Sequence, residues 1–340
     1  MPSKKQILIL IGVYILLFIL SALITSAIVH ITKNKVAPSI SPISTQTPGP
    51  TPLRTDRSIL LIGHGGAGHA GGGLADSMFV LQTEPTSKKL NIISIPRDIW
   101  VNGTKINEAF SKGGGEQAKK TVEQITGLTI DYFISVDFGG YKSAIDALGG
   151  IDVAVPASFE DKYYPVVGLE NETCGFSAEE IEKFHQDYSG FELEKQFICR
   201  YETLKFETGT THMDGTTALK FVRSRHSDTN GGDFARSQRQ IAVLNAIKNK
   251  AISLQALNKL PEFFKQFSGL INTNIDPQVL EPTIQYLGNP EGYTIHNLIL
   301  STDNVFSESR TTSGSYILIP KNGEGAWGPV HEYIINQLQK

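Results

Sequence analysis

The sequence predicts an α/β fold, a sheet covered by helices, carried behind a membrane-spanning helix. Three observations predict it. Apolar strands alternate with helical segments from Ser58 to Val155, an uncharged apolar run lies near the N-terminus, and a Pro/Ser/Thr-rich stretch separates the two. The 340 residues carry 31 Lys+Arg against 34 Asp+Glu, a formal net charge of -3, and 40% are hydrophobic. That composition supports a sizeable core. It also excludes the global basic field of a non-specific nucleic-acid binder, so any anion site has to be a local cluster. Two cysteines exclude a disulfide-dense scaffold and a Cys-rich zinc site.

In chain order, residues 1–6 form a short cytoplasmic end, and residues 7–30 a signal-anchor helix. Ile7 to Val29 runs 23 residues without a charge. As a helix it is roughly 35 Å long, enough to cross a bilayer, whereas a secretory signal has an apolar stretch of only about 7–15 residues. Lys4 and Lys5 precede the run and Lys33 and Lys35 follow it, so the charge bias favours neither orientation. Residues 31–56 hold Pro38, Pro42, Pro48, Pro50 and Pro52 among Ser and Thr, a stalk that extends rather than buries a core. Such a spacer suits a cell envelope, which places residues 57–340 outside a single-pass cell membrane anchor.

Within 57–340, Ser58–Ile62, Met78–Thr83 and Leu90–Ile95 read as strands. A helix is expected over Glu116–Thr126, with Gly127 as its left-handed stop, then a strand at Thr129–Asp137. A helix at Tyr141–Leu148, ended by Gly149 and Gly150, and a strand at Ile151–Val155 follow. Tyr316–Pro320 reads as a strand and Pro329–Leu338 as a closing helix. No second composition break follows the stalk, so one domain is expected.

Gly63 to Gly68 spells GHGGAG after a strand, with Glu84 downstream, a literal dinucleotide fingerprint. The fingerprint needs a helix to open at its last glycine, and HAGGGLADS is too glycine-rich to do so. No Gly-Lys-Ser/Thr follows, which excludes a P-loop. The informative cluster is VRSRHSDTNGGDFARSQRQ, which gathers Arg223, Arg225, Arg236 and Arg239 with Asp233 and Gln240. If Val222–His226 is extended, Arg223 and Arg225 share a face; if Asp233 caps a helix, Arg236 and Gln240 share another. Planar guanidinium forks so arranged suit a diphosphate better than a carboxylate, the alternative being a solvated helix with ordinary ion pairs. In SIPRD, Arg97 and Asp98 follow a strand at its carboxyl end, as a functional pair or as a turn stabilised by an Arg–Asp contact. Asp76 opens the strand DSMFVLQT as a turn residue or a carboxylate ligand for a hard cation.

Seven words in order, LLIG, DSMFV, IISIPRD, KINEAF, the run TVEQITGLTIDYFISVDFGGYKSAIDALGGIDVAVP, DGTTALKFVRSRH and GGDFARSQRQ, resemble the LytR-CpsA-Psr family of cell-wall glycopolymer ligases. The resemblance implies a layered α/β/α domain with a mixed central sheet, which holds a polyprenyl pyrophosphate-linked glycan. The lipid tail would enter an apolar cavity and the diphosphate an arginine-lined mouth. The implied reaction transfers the glycan phosphate to a peptidoglycan hydroxyl, with magnesium or another divalent cation such as manganese. Carried over by position, the diphosphate ligands are Arg97, Arg223, Arg225, Arg236 and Gln240, and Asp76 is a magnesium ligand. Asp98 or Asp233 is the base; Arg239 has no role in that pattern. The family's aspartate after LLIG and its arginine before the DS aspartate are replaced here by His64 and Leu74. His64 is therefore a candidate metal ligand, and His69 in the same loop a weaker one.

The segment 157–208 is less family-like and reads as an insertion, either a packed local subdomain or a contact for the glycan acceptor. Cys174 and Cys199 are expected to form a disulfide, since an exported domain with one cysteine pair meets an oxidising exterior. A lipid pyrophosphate hydrolase and a non-catalytic, membrane-anchored polymer-binding protein are the competing functional readings. The topology is directly testable. Protease added to intact spheroplasts is expected to remove the domain and leave a small membrane-embedded fragment, and full protection of the chain rejects the placement.

Overall fold

The computed structural model describes residues 57–67, 71–253, 271–276 and 292–339. The expected membrane helix, the stalk and His69 lie outside the described residues. Among the described residues no helix is long and apolar enough to cross a membrane.

In chain order the elements are β1 (Arg57–His64), β2 (Ala75–Glu84), β3 (Lys89–Ile95), β4 (Trp100–Val101), β5 (Thr104–Lys105), α1 (Asn107–Thr126), β6 (Tyr132–Asp137), α2 (Phe138–Ala147), β7 (Ile151–Val155) and β8 (Phe159–Pro165). There follow α3 (Ala178–Asp187), α4 (Phe191–Glu194), a 3-10 turn (Ile198–Arg200), β9 (Tyr201–Phe206), β10 (Gly209–Met213), α5 (Gly215–Arg223) and α6 (Gly232–Ser253). The last are β11 (Ile271–Thr273), β12 (Thr294–Ile299), β13 (Phe306–Arg310), β14 (Tyr316–Pro320) and α7 (Trp327–Leu338). The described residues fall into two compact units, one spanning Tyr141–Ser253 and one joining residues 57–140 to 271–339. No linker composition marks the division, because α2 runs through it.

The sheet unit is built on six strands in the order β11-β6-β1-β2-β3-β12. β1, β2 and β3 are antiparallel neighbours, while β1–β6 and β3–β12 are parallel pairs, so the sheet is mixed. One face presents Leu60, Ile62, Met78, Val80, Ile93 and Ile95 to Ala118, Val122 and Ile125 of α1 and to Val330, Ile334 and Leu338 of α7. Each such buried side chain stabilises the fold by roughly 1.5–3 kcal/mol relative to its exposed state. The chain's two-residue alternation sets this face, because neighbouring strand side chains point to opposite sides.

α1 begins nine residues earlier than expected. Its Gly113 and Gly114 are non-helical, with Gly114 at φ 62°, and this kink makes a helix look like a loop in the sequence. Gly115 follows because a Cβ there would lie 2.1 Å from the Phe133 ring, so only glycine lets helix and sheet approach. Gly127 ends α1 at φ 70° and donates its N–H to Glu123 O at 2.9 Å, as the sequence predicts.

In the second unit β7 pairs with β10 and β8 with β9, and α6 packs on β7. The segment read as an insertion packs as part of this unit. Its two ends are β8 and β9, and Phe159 and Phe206 pack with Phe221 of α5 at ring distances of 5.0–5.9 Å. Its middle is a small stapled layer. Ser177 caps α3 in a capping box with Glu180; Phe176, Phe184 and Phe197 meet edge to face; and Cys174 is bonded to Cys199 with 5.6 Å between Cα atoms. α3 itself buries no residue, so its attachment depends on that cross-link and the three phenylalanines.

The bond closes a loop of 25 residues. Cys174→Ser is expected to lower stability by about 3 kcal/mol through the freed chain entropy of the unfolded state, read from denaturant unfolding without reductant. Superimposable unfolding curves reject the expectation.

Candidate functional site

In the sheet unit, Asp76 is the second residue of β2 and Arg97 and Asp98 follow β3, so strand register brings the three together. Arg97 Nη1 lies 3.1 Å from Asp76 Oδ1 and Arg97 Nε 3.6 Å from Asp98 Oδ2. Lys105 Nζ reaches Asp98 Oδ1 at 2.6 Å. The Asp98 main chain is also fixed, its carbonyl accepting from Leu318 N at 2.9 Å. Asp98 is only 8% exposed and has a cation on each oxygen, which makes it a counter-ion for Arg97 and Lys105 rather than an open proton acceptor. His64, on the last turn of the β1 register, has Nδ1 3.3 Å from Gly72 O and packs its ring 4.9 Å from Phe110.

These residues do not build a cation cage. A hard divalent ion takes six or so oxygen ligands, yet the Asp76 carboxylate already receives Arg97, and the described residues contain no group of three His, Cys, Asp or Glu able to hold a metal. Asp76, expected as a magnesium ligand, thus has one carboxylate oxygen engaged by Arg97, so an ion held there would take most of its ligands from water and from a bound diphosphate.

The arginine cluster belongs to the other unit. α5 starts at the cap Asp214, whose Oδ1 accepts from Thr217 N at 2.7 Å, and runs through Arg223. Val222–His226 is thus not extended, and strand alternation does not aim Arg223 and Arg225. The helix stops at Ser224, ψ 138°, and other contacts set the directions. Arg223 Nη1 donates to Tyr164 Oη at 3.3 Å. Asp161, 0% exposed, accepts on Oδ2 from Ser224 Oγ at 2.6 Å, Arg225 N at 3.0 Å and His226 N at 3.1 Å, and on Oδ1 from Tyr163 N at 3.0 Å.

α6 carries Arg236 and Gln240 one turn apart on a shared face, with Arg236 buried. It begins at Gly232, so Asp233 is inside its first turn rather than ahead of it; the Asp233 side chain lies outside the description. Arg239, left without a role by the sequence, is 3% exposed. It donates Nε to Phe221 O at 3.0 Å, Nη1 to Asn230 O at 2.9 Å and Nη2 to Ser224 O, and it lies 4.5 Å over the Phe159 ring. Burial, opposed by Asp161, pulls its pKa down to about 10. Arg239 is a strut that ties α6 to the carbonyls at the end of α5. Asp161, Tyr164 and Arg239 are the residues that sequence reasoning misses, since an acid, a tyrosine and a fourth arginine in polar stretches carry no signal of burial.

His226 stacks 4.0 Å from the Phe191 ring. Burial, offset in part by Asp161, holds its pKa below the ordinary 6.5. The unfolded chain then takes up the proton first as pH falls, so stability is fully present above about 6.5 and declines as pH drops toward the folded pKa. Thermal unfolding is expected to show that decline as pH falls below about 6.5, and His226→Gln is expected to flatten it. An unchanged pH profile in the variant counts against the assignment.

The comparisons with known proteins agree with this layout. The LytR_cpsA_psr family model matches residues 24–323. The polyisoprenyl-teichoic acid–peptidoglycan teichoic acid transferase TagV of Bacillus subtilis is 31% identical over 211 residues, 60% of this chain and 45% of the relative. The transferase of the same description TagU of Bacillus licheniformis is 28% identical over 209 residues, covering 60% of this chain and 55% of its own. This chain thus spans about half the length of the curated relatives it matches. The crystal structure of Bacillus subtilis TagV superimposes with a TM-score of 0.58 and 26% identity, over 84% of this chain and 97% of that one. A mixed-sheet α/β fold, the ordered motifs and a family match over most of the sequence together establish that this chain belongs to the LytR_cpsA_psr family.

Proposed function

We propose that this protein is a phosphotransferase that moves a glycopolymer from a polyprenyl pyrophosphate carrier onto a hydroxyl of peptidoglycan, at the outer face of a cell membrane to which its N-terminal helix anchors it. The reading is supported by family membership and by the names of the curated relatives, which are teichoic acid transferases. The observation that carries it is the arginine segment: two guanidiniums, Arg223 and Arg225, project from a backbone held rigid by buried partners, and Arg236 and Gln240 follow on α6. A loose surface cluster has no need of such fixing.

In the proposed reaction the acceptor oxygen attacks the glycan-bearing phosphorus and forms a phosphodiester. The bond from that phosphorus to the bridging oxygen breaks, and polyprenyl phosphate leaves with the electron pair. The acceptor proton passes to a base or to the leaving phosphate. Such a transfer depends mainly on positioning and charge neutralisation, which planar forks supply by bidentate contact with phosphate oxygens. With Asp98 occupied as a counter-ion, Asp233 in the first turn of α6 is the proposed base.

The test is an assay with purified protein, a short prenyl diphosphate-linked saccharide carrying a label, and peptidoglycan. The expected result is label in the peptidoglycan matched by release of prenyl phosphate. Prenyl phosphate released without transferred label identifies a hydrolase, and neither product identifies a binding protein. Arg223→Lys and Arg225→Lys are each expected to lower transfer by roughly tenfold or more, because an ammonium keeps the charge and loses the fork. Full activity in both leaves the segment outside the reaction.

A further inference from the structure

We propose that Asp161 is the positioning residue of the anion site: its buried carboxylate fixes the backbone from which Arg223 and Arg225 project. The proposal rests on the phosphotransferase reading for its ligand and on this structure for its geometry.

A carboxylate with no exposed surface is costly unless its lone pairs are filled, and here four donors fill them. Two are the consecutive main-chain amides of Arg225 and His226, and one is the hydroxyl of Ser224, so the carboxylate holds three successive residues of the segment. From the opposite side Arg239 takes the carbonyls of Phe221 and Ser224. The turn that follows α5 is therefore gripped by an anion through its N–H groups and by a cation through its carbonyls. Both grips fall on main-chain groups and on the Ser224 hydroxyl.

The sequence delivers Asp161 by a bulge. On β8, Asp161 opposes Leu204 and Tyr164 opposes Glu202, three residues against two. The extra residue resets the alternation, so Phe159, Asp161 and Tyr164 are all buried although 161 and 164 have opposite parity. One strand thereby sends Asp161 to the backbone after Arg223 and Tyr164 Oη to the Arg223 guanidinium. A regular strand would bury only one of the two.

The experiment measures binding of a short-chain prenyl diphosphate and of inorganic pyrophosphate to the full chain, with amide hydrogen exchange in parallel. Asp161→Asn, which keeps the volume but points an amide group at donors, is expected to raise Kd at least about tenfold. On a background of Arg223→Ala with Arg225→Ala it is expected to add less than about twofold, because a positioning residue has nothing left to position. A purely structural role predicts an equal loss on both backgrounds and overturns the proposal. Ser224→Ala keeps the carboxylate and serves if Asp161→Asn does not fold; it is expected to raise Kd about threefold, and an unchanged Kd counts against the proposal. Exchange at the Arg225 and His226 amides is expected to accelerate in Asp161→Asn while β7 stays protected. If the wild-type protein binds neither probe, the phosphotransferase reading fails by itself. Exchange then decides the positioning claim, since retained protection at the two amides overturns it and its selective loss supports it.

Discussion

A helix that stops inside a protein leaves carbonyls without partners, and the turn after it leaves amides in the same state. At the end of α5 both needs arise within six residues, of which Phe221, Val222 and Ser224 are buried. Uncharged partners would satisfy them one at a time. This chain instead places a carboxylate, Asp161, and a guanidinium, Arg239, on the two sides of residues 221–226. Each ion satisfies several backbone groups, and each lies within electrostatic reach of the other. Removing one member of a buried charged pair commonly costs about 3–5 kcal/mol, because the remaining charge is left without compensation. The packing of Phe159, Phe206 and Phe221 depends on the same arrangement, since α5 and β8 can close only when the ions between them are satisfied.

The two sets of functional candidates differ in how their charge is held. Arg97 has carboxylates on two of its nitrogens, at 3.1 and 3.6 Å, so much of its positive field is spent within the sheet unit. Arg223 donates to the Tyr164 phenol, a neutral partner that orients the fork. The Asp76 carboxylate, shared with the Arg97 guanidinium, is a poorer cation ligand than a free one.

The stapled layer between β8 and β9 is built from what a small, helix-poor segment can muster. α3 has good local signals, a capping box and acidic residues in its first turn, but no buried face. Its position follows from the Cys174–Cys199 bond, three phenylalanines, and Arg200 lying 3.9 Å over the Phe197 ring. The ends of the same segment have a different character. Phe159 and Phe206 are core residues, and Asp161 and Tyr164 serve the arginine segment, so the region divides into a covalently held outer layer and an inner pair of strands.

Local patterns suffice for the strands β1, β2, β3, β7 and β14, the stop at Gly127, the cysteine pair and the family, because each rests on alternation, capping chemistry, spacing or word order. The sequence by itself determined as well that arginines cluster near Arg223. Tertiary structure alone decided what they do. It made Val222–Arg223 the end of a helix where the sequence offered an extended segment as one possibility, drew α1 back to Asn107 across a glycine kink, and packed the ends of segment 157–208 against Phe221 of α5. It also gave Arg239 to the backbone carbonyls at the end of α5. The physical reason is burial. Which of several identical side chains is desolvated, and which carboxylate sits beside it, follows from contacts between residues about 60 apart in sequence, such as Asp161 and Ser224, and no local pattern encodes them.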